Sequence, residues 1–195
     1  IAALPNSNTL VITDYAENMR RLNAIIESVD QPGANDTALI KLSHVSAVDL
    51  AQVARLVADE FRHSGRLQGR RLVVDATPVR VRGDFDAVGL AVRNLVENAL
   101  VHGSGGTAIR VTCRDDGRAA IVAVVDDGPG IPGAQIPALL KRFARGHAAK
   151  GSGAGLGLSI VDTLARRLGA RLVLTSPPAG HASGLDARLV WEAPG

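Results

Sequence analysis

TAIRVTCRDDGRAAIVAVVDDGPGIP, residues 107–132, holds two strand-like segments joined by Asp115-Asp116-Gly117. Alternation with a period of two marks a half-buried strand, and Asp-Gly between two such runs is hairpin chemistry. The second run is almost wholly apolar and stops at Asp126-x-Gly128-x-Gly130. Two neighbouring antiparallel strands of this kind would frame a sheet that the flanking sequence must complete and cover.

Working outward, DFDAVGLAVRNLVENALVHG (84–103) reads as a helix and SAVDLAQVARLVADEFRHSG (46–65) as another. The second would bury Leu50, Val53, Val57 and Phe61 on one face. RLVVDA (71–76) and VRVRGD (79–84) read as strands between them. Downstream come an irregular Gly- and Pro-rich stretch from 128 to about 155, a helix over 156–168, and strands RLVLTS and DARLVWEA. The order lacks regular βαβ alternation. It predicts an α/β fold, a two-layer sandwich in which a mixed, mostly antiparallel sheet is covered by helices on one face.

The 195 residues are 46% hydrophobic but only 3% aromatic, so the core must be aliphatic. No apolar run approaches the roughly 20 residues a membrane helix needs. The start, IAALPNSNTL, lacks the basic and apolar regions of a signal peptide, and a start without Met suggests a trimmed or excised chain. A single cysteine, Cys113, permits no internal disulfide or cysteine metal cluster and reads as a structural thiol on a strand. The net charge of +3 is spread along the chain without aromatic interleaving, which argues against a nucleic-acid binder.

Three motifs carry chemistry. KGSGAGLGLSIVDTLARRLG (150–169) places Gly153, Gly155 and Gly157 ahead of a helix. Their spacing is not the G-x-G-x-x-G of a dinucleotide fold, and Lys150 precedes the glycines rather than following them as in a P-loop. What remains is a glycine-rich entry to a helix N-terminus, suited to an anion, or a flexible turn. Asp126, followed by Gly128 and Gly130, can accept from an exocyclic amine while bare backbone admits a planar base; the alternative is a strand-ending turn. Asn94 and Asn98, four apart on one helix face, can supply a hard oxygen to a phosphate-bound Mg²⁺, or can be two hydrogen-bonded surface amides.

In this order, with LLKRFARG (139–146), the motifs resemble the ATP-binding domain of sensor histidine kinases, the Bergerat fold shared with gyrase and a heat-shock chaperone family. NLVENALVHG is similar to its N box, DDGPGIP to its first glycine box, Arg142-Phe143 to its F box, and GSGAGLGLSIV to its second glycine box. The likeness runs from about residue 47 to 193. It implies ATP and Mg²⁺ as cofactors. Asp126 would bind the adenine amine, Asn98 would hold the metal with Asn94 beside it, and Gly128 and Gly130 would admit the nucleotide. Gly153, Gly155, Leu156 and Gly157 would line the phosphates. Phe143 would anchor a lid over 133–152, and Arg142 or Arg145 would reach the γ-phosphate, unless both are merely solvated. Hydrolytic relatives carry Glu where this chain has Asn94, which favours a protein kinase over a free ATPase.

The likeness has gaps. His44 lacks the acidic neighbour and downstream Pro of a phospho-acceptor, and His63, His102, His147 and His181 lack that context too. The expected partners are therefore a histidine-containing dimerisation domain and a response regulator outside this chain. Val101-His102 replaces a commoner basic-aromatic pair, and Ala154 stands where Ser is frequent. A cytoplasmic location is implied for this part.

The first 45 residues read differently: TLVIT (9–13) as a strand, a helix from Asp14 to about Val29 with Met19, Leu22, Ile25 and Ile26 on one face, a turn over 30–36 and a strand in ALIKLSH (38–44). LPNSNTLVITDYAENMRRLNAIIESVDQP resembles a periplasmic N-domain fragment of a type II secretion or type IV pilus secretin. That implies domains at 1–45 and 46–195, an engineered or recombined chimera, and self-association through residues 1–35. The competing functional expectation is a non-catalytic assembly protein built around that head.

Overall fold

The computed structural model describes residues 2–3, 10–11, 46–137, 139 and 154–193. The chain divides into two compact units, Ile1–Leu42 and Ser43–Gly195. In the first, β1 (Ala2–Ala3) pairs antiparallel with β2 (Leu10–Val11). β2 falls inside the expected strand over 9–13; the expected helix from Asp14 and strand over 38–44 lie outside the described residues.

The second unit is a sandwich. Its elements are β3 (Ser46–Asp49), α1 (Leu50–His63), β4 (Arg71–Ala76), β5 (Arg80–Gly83), α2 (Phe85–His102), β6 (Ala108–Asp115) and β7 (Ala119–Asp126). A short 3₁₀ turn at Gly133–Gln135 follows, then α3 (Ala154–Arg167), β8 (Arg171–Thr175) and β9 (Leu185–Glu192). Five strands form one sheet in the order β4-β6-β7-β9-β8, with β4 parallel to β6 and every other pair antiparallel. The mixed, mostly antiparallel sheet is as expected.

The face of that sheet carrying Leu72, Ile109, Val111, Val122, Val124, and Leu189 packs into one aliphatic core with the buried sides of the helices. α1 contributes Leu50, Val53, Val57 and Phe61, the four residues its periodicity picked out. α2 contributes Val88, Val92, Leu95 and Val96, and α3 contributes Leu158, Val161 and Leu164. Each such side chain contributes about 1.5–3 kcal/mol of burial. Cys113 sits in this core with its Sγ donating to the Leu50 carbonyl at 3.4 Å, and burial pushes the thiol up to about 12, so it is a structural thiol.

Two boundaries differ from expectation. Ser46–Asp49 is a strand, not the first turn of a helix: it pairs antiparallel with β5, Val48 against Val81. The true N-cap is Asp49, whose carboxylate accepts from the Ala51 N–H at 2.9 Å. Ser46 with an acid three residues on mimics a capping box, and only the pairing with β5 moves the start to Leu50. α3 begins at Ala154, two residues before the expected 156, so Gly155 and Gly157 lie inside its first turns.

α2 is as the sequence foretold from end to end. Asp84 caps it by accepting from the Ala87 N–H at 3.0 Å, and Gly103 ends it. Asp84→Ala should cost about 1 kcal/mol, lowering the thermal midpoint by ~2–4 °C for a unit of this size; a calorimetric melt checks it.

Candidate functional site

α2 is the spine of the site because it carries both asparagines and ends against the loop after β7. The Asn94 amide nitrogen donates to the Leu90 carbonyl at 2.8 Å, and its Oδ1 faces α3, 3.8 Å from where a Cβ on Gly157 would stand. The structure thus brings together residues from two motifs sixty positions apart. Asn98, one turn on, is 9% exposed, and its side chain makes no hydrogen bond with any described residue. Its amide oxygen is therefore not committed to another described residue and can serve an outside ligand.

The C-terminus of α2 is held from outside the helix. Arg70 donates from Nη1 to the Leu100 carbonyl at 2.8 Å, a group the helix end leaves open, and to the Ala99 carbonyl at 3.2 Å, which also accepts from the Gly103 N–H. Gly103 then meets Gly128 backbone to backbone. A Cβ on Gly128 would overlap the Gly103 Cα and stand 2.8 Å from its carbonyl carbon, well inside van der Waals contact.

Asp126 lies beneath this contact, 7% exposed, with Oδ1 accepting from the Gly128 N–H at 2.9 Å. Burial raises its carboxyl above the ordinary 3.8, outweighing the hydrogen bonds from the Gly128 and Leu185 N–H groups that pull it down. Asp127 differs although it is the next residue. It is exposed and accepts from the Thr107 N–H at 2.8 Å, the Thr107 hydroxyl at 2.8 Å and the Ala108 N–H at 3.0 Å, fastening the start of β6. Desolvation pushes its carboxyl upward, but those hydrogen bonds outweigh it and leave the group below its ordinary value.

Three residues of this site went unnoticed in the sequence. Gly184 has φ +110°, and a Cβ there would overlap the Asp126 carbonyl oxygen. Gly130 has φ +73°, and a Cβ on it would stand 2.5 Å from the Gly184 carbonyl oxygen. Ser176 joins the two loops: its Oγ accepts from the Ile131 N–H at 2.9 Å and donates to the Gly184 carbonyl at 2.7 Å. Arg70 is the third. An Ala-Ser-Gly turn before a strand was the available signal for Gly184; nothing local marks Ser176 or Arg70.

Glu97 is adjacent to Asn98 but points away and pairs with Arg66 at the surface. Asn94 carries a neutral amide, so neither supplies a base for water. Gly155 and Leu156 place their backbone in the first turn of α3. Arg142, Phe143, Arg145 and Gly153 lie outside the described residues. Among the described residues no group of three His, Cys, Asp or Glu side chains can hold a metal. A single neutral oxygen at Asn98 fits a Mg²⁺ whose other ligands are phosphate oxygens and water.

Comparison with known proteins decides the family. The family model described as histidine kinase-, DNA gyrase B-, and HSP90-like ATPase matches residues 83–192, more than half of the chain. The chain belongs to this family. Within it the chain is an ATP-binding catalytic domain of the sensor histidine kinase type. The sensor-type histidine kinase PrrB of Mycobacterium tuberculosis is 36% identical over 106 residues, 54% of this chain and 22% of the relative. The sensor protein IrlS of Burkholderia pseudomallei is 30% identical over 171 residues, 86% of this chain and 36% of the relative. The solved mycobacterial sensor histidine kinase MprB superposes with a TM-score of 0.63 at 28% identity, covering 76% of this chain and 97% of that one.

The chain spans 22% of the length of PrrB and 36% of that of IrlS, well under half of either relative. An alignment taking in 86% of the chain cannot fit within residues 46–195, so the kinase likeness extends into the head. The secretin resemblance and the chimera that the sequence suggested find no support. Among the described residues no helix is long and apolar enough to cross a membrane.

The raised Asp126 carboxyl has a consequence for stability. Between pH 3.8 and its higher folded value, the unfolded chain gives up the proton while the folded one keeps it, so stability falls as pH rises through that window. Asp126→Asn should remove this fall and melt at or above the wild-type temperature at pH 7 without nucleotide. Melts across pH 3–8 check it.

Proposed function

We propose that residues 46–195 bind Mg²⁺-ATP between α2, α3 and the loop after β7, and present the γ-phosphate to a histidine on a separate dimerisation domain. The observation that carries this is a buried carboxylate, Asp126, and a buried asparagine, Asn98, whose side chain is engaged by no other described residue, on the helix-and-loop seam of α2 and β7. A base seated against Gly128 would give its exocyclic amine to Asp126. The glycine-to-glycine contact leaves no side chain to hold it off. Asn98 would take the metal, which supplies charge neutralisation to the phosphates when bound. Gly153, Gly155, Leu156 and Gly157 would offer N–H groups and the positive end of α3 to the phosphates.

Phosphoryl transfer asks little covalent help from a protein; it needs alignment and charge stabilisation. The bond from the γ-phosphorus to the β-phosphate oxygen would break as a bond to the histidine nitrogen forms, leaving ADP. Arg142 or Arg145 would steady the charge that develops, and Phe143 would hold the lid over 133–152. With Glu97 bound to Arg66 and an amide at position 94, neither residue would assist attack by water, which favours keeping the phosphoryl group for the acceptor. A response regulator would take it next. These partners, and a cytoplasmic setting, follow from the sensor kinases the chain resembles.

Isothermal titration with a non-hydrolysable ATP analogue tests the reading. Micromolar binding that weakens at least about tenfold without Mg²⁺ or in Asn98→Ala, a loss of ~1.4 kcal/mol, and vanishes in Asp126→Asn, is expected. No binding to a folded wild-type chain would overturn it.

A further inference from the structure

The helices cover one face of the five-stranded sheet, and the other face is built for something else. Register places Val73, Arg110, Val125 and Asp186 in one row across the strands, and Asp75, Thr112, Ala123 and Arg188 in the next. Arg114, Ile121, Val190 and Arg171 make a third. The connection between β8 and β9 folds over part of this face through Pro178 and His181, leaving a cleft of about 390 Å³.

The charges there are unequal. Five arginines at 71, 110, 114, 171 and 188 stand against carboxylates at 75, 127, 186 and 192, of which Asp127 is held by Thr107 and Ala108. Arg188 holds Asp186 with Nε 3.0 Å from both carboxylate oxygens, and Arg171 holds Glu192 at 2.8 Å. Arg71, Arg110 and Arg114 are exposed and make no ion pair among the described residues. Between and beside them Val73 is 40% exposed, and Ile121 and Val125 are half-buried. Arginine is chosen where a planar cation must meet carboxylates, and three unpaired ones beside apolar side chains ask for an acidic partner with an apolar centre.

The spacing narrows the partner further. Arg110 and Arg114 are four residues apart on one strand, about 13 Å. An extended segment laid along β6 and β7 repeats that distance between its own residues i and i+4, with residue i+2 on the same side. We propose that this cleft docks an extended acidic segment of a partner protein, of the form acidic-x-apolar-x-acidic, with its carboxylates on Arg110 and Arg114 and its apolar residue over Thr112 and Ala123, between Ile121 and Val125. A membrane surface is the other anionic candidate. It is flat, whereas the apolar side chains here sit in a cleft partly roofed by the β8–β9 connection. Asn94 and Asn98 belong to the helices on the opposite side of the sheet, whereas Asp126 and Asp127 line one end of this cleft, so the two sites share that edge and the variants below leave it untouched.

The test uses a fluorescein-labelled peptide Gly-Glu-Ser-Leu-Ser-Glu-Gly against the whole chain, read by anisotropy and by backbone amide shifts. Expected are salt-sensitive binding, shifts confined to residues 110–114, 121–125 and 186–188, and a loss of at least about tenfold in affinity, ~1.4 kcal/mol, in the double variant R110E/R114E. R118E, one such reversal placed in the β6–β7 turn, should keep peptide binding. An unshifted melting temperature in R110E/R114E shows that its fold is intact. The proposal is overturned if the peptide leaves those amides unmoved, if R110E/R114E binds as tightly as wild type, or if phosphatidylserine–phosphatidylcholine vesicles bind through these arginines while the peptide does not.

Discussion

The contact on which the site depends is between two glycines. The last turn of α2 and the loop leaving β7 approach so closely that Gly128 has no room for a side chain beside Gly103, where a Cβ would in turn strike the Ala99 carbonyl of its own helix. Sheet register brings them there: Ile109 pairs with Asp126, so the chain leaves β7 directly under the helix end. From that approach follow the burial of Asp126 and its raised carboxyl. The position of Gly184 against the Asp126 backbone depends on it as well.

Around this seam the protein separates duties that look alike in sequence. Of two consecutive aspartates, Asp126 is buried toward the site and Asp127 is spent on three hydrogen bonds to β6. Of two asparagines on one face, Asn94 is tied to its own helix and Asn98 is left without a partner among the described residues. Of two neighbours on α2, Glu97 turns to a surface arginine while Asn98 stays buried. In each pair one residue fixes geometry and the other is kept available. Keeping a carboxylate and an amide available in a buried seam costs stability, a common charge on functional sites.

How much of this was legible in the sequence depended on whether the signal was local. Asp84 and Gly103 bracket α2 as a capping residue and a terminating glycine should, and the Asp-Asp-Gly turn gave the β6–β7 hairpin its register. The strand at Ser46–Asp49 was hidden because its partner, β5, lies more than thirty residues on and a capping-box pattern masked it. Ser176, Gly184 and Arg70 were invisible for the same reason. A serine that bridges Ile131 and Gly184, or an arginine that closes a helix thirty residues away, has no neighbours in sequence that announce it. The motifs themselves were readable because each is a short run; their convergence on α2 was not.

The measurement that bears most directly on this account is a crystal structure of the chain with Mg²⁺ and a non-hydrolysable ATP analogue. The account predicts the exocyclic amine of the base on the Asp126 carboxylate, the ring over Gly128 and the metal on the Asn98 oxygen. A nucleotide bound with its base elsewhere, or with Asn98 turned away from the metal, would contradict it.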